Sequence, residues 1–156
     1  MSSIVKAQID LLTKTRKNVL EEIKDCSIEQ LNEIPNGFNN NIIWNVAHLI
    51  ATMDILVYKR SGTSPSVSDE YVDAFKKGSF PQGDLDEETI VQTKDQLLQT
   101  LLKLEEDYEK DVFGEYEERT TSYGVTLSTV EEAITFCNLH ESMHYGQIKM
   151  IRKLLG

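Results

Sequence analysis

Apolar positions along the chain repeat at helical spacing and stop sharply at clusters of Pro, Gly, Asn and Ser. Ile4, Ile9 (or Gln8), Leu11, Leu12, Val19 and Ile23 form a loose stripe that predicts a first helix over about 3–24. Ser27 to Leu31 starts a short helical turn, which Pro35-Asn36-Gly37 ends. A second helix follows over about 41–60, opened by Asn39-Asn40-Asn41 and closed by Ser61-Gly62. It is apolar nearly all round, from Ile42, Ile43 and Trp44 through Val57, so it must be covered on several sides. The polar residues inside it, Asn45, His48, Thr52 and Asp54, are therefore the informative ones.

Residues 61–86 form a long connection that holds Tyr71, Phe75 and Phe80. A structureless loop of that length is uncommon, so the aromatics are expected to fold it down, with a short helix at 69–76. The connection is long enough to run the length of a bundle, which lets the second and third helices lie parallel. Ile90, Leu97, Leu101, Leu104 and Tyr108 predict the third helix over about 87–113, begun after Asp84 and Asp86. Its Glu105-Glu106-Asp107 run reads as a solvated face. A turn region, or a small hairpin, occupies 114–127. The capping-box string Ser128-Thr129-Val130-Glu131 then opens the fourth helix, over about 129–155. Four long helices without convincing strands predict an all-α four-helix bundle, a single domain over 1–156 with a long connection between helices 2 and 3.

Charge narrows the function. With 26 acidic and 16 basic residues the net charge is -10, so a phosphate backbone and an anionic membrane surface are both disfavoured as partners. Charges break up the N-terminal stretch, and no continuous apolar run reaches membrane-spanning length. Two cysteines, Cys26 and Cys137, lie far apart and outside any C-x-x-C arrangement, which predicts free thiols and a cytoplasmic setting. The second helix, apolar nearly all round, exceeds what one side of a bundle covers, which predicts a homodimer.

The candidate chemistry lies in three histidines, His48, His140 and His144, the only ones in the chain. His140 and His144 are four residues apart and so share one helix face, which continues through Ala133, Cys137, Gln147, Ile151 and Leu155. A lone core histidine is more often a hydrogen-bonded structural group than a ligand. Here all three fall on apolar faces, and one metal ion would satisfy all three imidazoles at once. His140 to His144 also matches the H-E-x-x-H string of zinc proteases. That chemistry needs a third ligand further on and a glutamate as general base, yet no Glu, Asp or His follows His144. Gly146 stands two residues after His144 where the extended motif has three. Glu141 falls about 100° round the helix from His140 and is expected on a solvated face or at a subunit contact.

Trp44-Asn45-Val46-Ala47-His48 together with His140-x-x-x-His144-x-Gly146-Gln147-Ile148 resembles the DinB-like, or YfiT-like, metal-binding four-helix bundles. The resemblance spans essentially the whole chain. It implies an up-down-down-up bundle, frequent homodimers, and a three-histidine site for a divalent ion, usually zinc or nickel. It also implies cytoplasmic thiol chemistry: several relatives are similar to metal-dependent S-transferases that join a low-molecular-weight thiol, such as bacillithiol, mycothiol or glutathione, to an electrophile.

Three neutral imidazoles leave a metal its full charge and at least one open position, as in catalytic rather than closed structural sites. A thiol arriving there would be deprotonated without a separate strong base. Around the ligands, Cys137 reads as a core thiol or a fourth ligand, and Asn45 and Thr52 as supports or substrate contacts. Gln147 is placed to orient His144 or to cap core polar groups, Asp54 to receive an imidazole N–H or make a surface pair, and Tyr123 to reach over the bundle end. Besides S-transfer in stress or detoxification, two alternatives stand: a non-catalytic metal-binding stress or interaction protein, and a metal-dependent small-molecule hydrolase.

Overall fold

In the computed structural model, which describes residues 1–156, each long helix begins where a side-chain oxygen takes an otherwise orphaned backbone N–H. Ser2 caps α1 (Ser3–Glu22), Asn41 caps α3 (Ile42–Met53), Asp86 caps α5 (Glu87–Glu109) and Thr129 caps α6 (Val130–Leu155). Two short helices sit between them, α2 (Ile28–Asn32) with a Ser27–Gln30 capping box and α4 (Asp69–Phe75) capped by Ser68. The α6 start is one residue later than the sequence string suggested: Glu132, not Glu131, reaches back, and it takes the N–H of Ser128 at 2.7 Å. Strands β1 (Arg119–Thr120) and β2 (Thr126–Leu127) pair antiparallel between α5 and α6.

The fold is predominantly helical, and its core lies among four packed helices. α5 and α6 each pack against both α1 and α3. Every residue of α3 except Thr52 is buried, partly because α2 and α4 also close over it. The helical run Ile42–Ser61 is long and apolar enough to cross a membrane, but 83% of its most apolar window is buried inside the protein. Its apolar surface is thus spent within one chain, and the coverage argument for a second copy loses its ground.

After α3 the helix widens into a π turn at Asp54–Tyr58, tightens into a 3-10 turn at Lys59–Ser61, and stops at Gly62, whose φ of 63° a β-carbon would disfavour. Asp54 is buried and faces neither a histidine nor the surface. Its Oδ1 accepts from the Ser66 N–H and Oγ–H, pinning the start of the long connection. Along that connection Tyr71 and Phe75 pack against each other with ring centroids 4.9 Å apart, whereas Phe80 stays largely exposed. In the acidic run on α5, Asp107 is not purely solvated: it accepts from the Tyr58 hydroxyl at 3.0 Å and pairs with Lys103.

The buried stripe of α1 is Val5, Ile9, Leu12, Arg16 and Val19, while Ile4 and Leu11 point outward at 73% and 52% exposure. Arg16 is fully buried and meets an equally buried Glu141 from α6 (0% and 1% exposed). Glu141 is therefore neither on a solvated face nor at a subunit contact. The pair separates two apolar clusters. One contains Leu12 and Cys137, the other Val19 and Ile148, so the ion pair crosses the bundle between them.

Candidate metal centre

α3 carries His48 and α6 carries His140 and His144, and the packing of these two helices brings one nitrogen from each ring within 4.8 Å of the others. Nε2 of His48 and Nε2 of His140 are 3.2 Å apart. Two imidazole nitrogens at about 2.0–2.1 Å from a tetrahedral ion stand roughly 3.3–3.4 Å apart, so this edge already has ligand spacing. The donor set suits a divalent ion: three imidazoles, with no carboxylate or thiol within the cluster.

The rings are aimed by neighbours. Nδ1 of His48 donates to the Phe75 carbonyl at 2.6 Å, because a carbonyl can only accept. That assignment leaves the Nε2 lone pair facing the cluster. The indole of Trp44 stacks on the same ring, 4.7 Å away and 12° from parallel. Thr52 Oγ1 lies 3.3 Å from His48 Nε2. His144 donates from Nδ1 to Asn45 Oδ1 at 2.8 Å. Asn45 is oriented in turn, since its Nδ2 donates to the Asn41 carbonyl and to Asn40 Oδ1. Gln147 reaches Asn40 Oδ1 at 3.1 Å, so it braces the asparagines rather than His144 itself. Such outer hydrogen bonds fix tautomer and ring angle for ligation.

All three imidazoles are held below their ordinary pKa. Burial lowers His48, partly opposed by the Phe75 bond. Burial, then the neighbouring histidines and Arg16, lowers His140 to about 2. Burial, then His48, lowers His144 to about 4. The folded protein thus presents neutral rings, the protonation state a metal requires.

Cys137 is not a ligand. It is buried in the apolar core and stands outside the histidine cluster, and burial pushes its thiol well up. Glu141 turns away from the histidines. Its carboxylate takes the Arg16 guanidinium through Nε at 3.0 Å and Nη2 at 2.6 Å. Arg16 Nη1 also donates to the Leu97 carbonyl and Thr100 Oγ1. Burial raises the Glu141 carboxyl, and Arg16 pulls it back. A glutamate held this way is not available as a general base beside the histidines. Neither Arg16 nor the Phe75 carbonyl was singled out from the sequence. Arg16 had a signal there, because it falls on the 5-9-12-16-19 stripe; a backbone carbonyl leaves none.

The cluster forms the floor of a cavity of about 580 Å³. Trp44, Phe136 and Met143 give it apolar wall, and Thr121, Ser122 and Tyr123 from the β1–β2 turn close one side, so Tyr123 does reach over the site. A family model described as the DinB superfamily matches residues 11–148, a span that includes all three histidines. No curated protein matches the chain.

Proposed function

The chain belongs to the DinB superfamily, and on that premise we propose that His48, His140 and His144 hold one divalent ion, zinc or nickel, in a thiol S-transferase. The observation that carries this reading is the set of three neutral imidazoles with no carboxylate, at the floor of an open cavity. A divalent ion held by neutral ligands keeps its full charge and supplies Lewis acidity that lowers the pKa of a thiol beside it.

The chain's own residues do the rest. Asn45 holds the His144 ring, the Phe75 carbonyl and Trp44 hold that of His48, and Phe136 and Met143 offer apolar contact to an electrophile. The thiol proton leaves to water. The sulfur lone pair forms the new S–C bond, and a leaving group such as chloride departs with the electron pair of the bond it breaks. The low-molecular-weight thiol, bacillithiol for instance, is part of the proposal. So are the up-down-down-up course of the helices, the homodimer and the cytoplasmic setting. The free state of Cys26 and Cys137 supports a reducing compartment.

The test uses purified, metal-loaded protein with a panel of thiols and monochlorobimane. Turnover that vanishes with chelator and in His48→Ala is expected. Metal retention without turnover on any thiol would instead mark a non-catalytic metal-binding protein. Wild-type metal content in His48→Ala, by elemental analysis, would refute the site itself.

A further inference from the structure

The cavity above the histidines has a charge opposite to that of the chain. Of the 156 residues 26 are acidic, so a lining of 17 drawn at that frequency would hold about three. It holds none, while Lys76, Lys77 and Arg119 all face it. Lys76 is shared with Asp73 at 2.7 Å, but Lys77 and Arg119 have no carboxylate within ion-pair distance. The cations come from two separate elements, the end of α4 and strand β1, which the fold brings to one cavity. Three cations around a concave site set a positive local field in a chain whose net charge is -10. The segment that carries the lysines is also tied to the cluster, because Phe75, whose carbonyl holds His48, immediately precedes Lys76 and Lys77.

We infer that Lys76, Lys77 and Arg119 form an anion-recognising subsite, and that the molecule entering this cavity carries carboxylate or phosphate groups beyond its reacting atom. The inference rests on the proposed thiol chemistry only for the identity of the reacting atom. Lysine ammoniums attract either anion as point charges, and the Arg119 guanidinium offers a fork that matches the two oxygens of a carboxylate or phosphate. Neutral polar groups at Asn40, Thr121 and Ser122 complete the rim. No lining carboxylate opposes the ligand's charge, so selection for anions needs no conformational change. Because the cations are exposed, each contributes modestly and its effect falls with salt.

Trp44 is the only tryptophan in the chain and lines the cavity, so its fluorescence reports occupancy without turnover. Metal-loaded protein is titrated with 2-mercaptoethanol, 3-mercaptopropionate, mercaptosuccinate and 2-mercaptoethyl phosphate, and separately with succinate, with calorimetry as a second readout. Affinity is expected to rise about twofold to fivefold with each added carboxylate and to fall with added salt. The Lys77→Glu/Arg119→Glu variant should flatten or invert that order while its metal content stays at the wild-type level. Tighter binding of the phosphate than of the dicarboxylate would assign the natural anion to phosphate, and the reverse order to carboxylate. Dissociation constants that do not depend on ligand charge, or that are unchanged in the double variant, overturn the subsite. The two ideas separate cleanly. Metal-dependent turnover with charge-independent binding removes the subsite and leaves the S-transferase; charge-graded binding of succinate without turnover on any thiol does the opposite.

Discussion

Glu141→Gln replaces one atom and leaves the shape of the core unchanged, yet it removes the only counter-charge of a fully buried Arg16. The glutamine oxygen can still accept one of the guanidinium's bonds, and the Leu97 carbonyl and Thr100 remain. What is lost is the charge that offsets taking a guanidinium out of water. Breaking a buried pair from one side costs about 3–5 kcal/mol. With a urea slope of about 2 kcal/mol/M, the unfolding midpoint should drop by roughly 2 M. Trp44 fluorescence or circular dichroism follows that transition. The double variant Arg16→Met/Glu141→Leu removes both charges and fills the space with apolar groups, so it should return to wild-type stability or exceed it. Metal bound per folded chain should be unchanged in both variants, since Glu141 faces away from the histidines. A Glu141→Gln protein within about 0.5 kcal/mol of wild type, or a double variant less stable than the single, would refute the account. The pair also sharpens the distinction from a metalloprotease: loss of a general base typically costs 10²–10⁴-fold in rate and would persist in the double variant. A loss caused by instability would be rescued there.

Three further outcomes are expected. Asn45→Ala should leave the fold intact but weaken metal binding about 10–100-fold, measured by competition with a chromophoric chelator, because His144 loses the acceptor that orients it. The metal-free protein should lose stability as pH falls below about 6.5: the unfolded histidines take up protons there, while His140 and His144, lowered to about 2 and about 4, do not. At pH 5.5 that linkage amounts to about 1.4 kcal/mol per histidine, and urea midpoints that stay level between pH 7 and 5.5 would contradict it. Native protein should react with one equivalent of Ellman's reagent, at the half-buried Cys26, and denatured protein with two, because Cys137 is buried and its thiol is pushed up.

The long helices were legible because their signals are local. Caps at Asn41 and Asp86, the stripe of Ile90, Leu97, Leu101 and Leu104, and the four-residue step from His140 to His144 act within a few turns of one helix. Three histidines on apolar faces also pointed to one cluster, since burying three unpartnered imidazoles separately would be costly. On α1 the pattern holds at Ile9, Leu12, Val19 and Ile23, which are buried, and fails at Ile4 and Leu11, which are exposed. The true stripe runs through Arg16. What makes Arg16 tolerable there is Glu141, 125 positions away, and no local pattern carries that pairing. The same holds for the site's supports. Asn45 meets His144 across 99 positions, and His48 is held by a backbone carbonyl, which every residue possesses. The gathering of Lys76, Lys77 and Arg119 over one cavity is likewise tertiary. Lys76 and Lys77 are separated from Arg119 by the whole of α5, and only the packing of the bundle turns scattered surface charges into one field. Local periodicity thus determined which helices form and which faces are apolar, while charge compensation and ring orientation depended on contacts that exist only once the helices have packed.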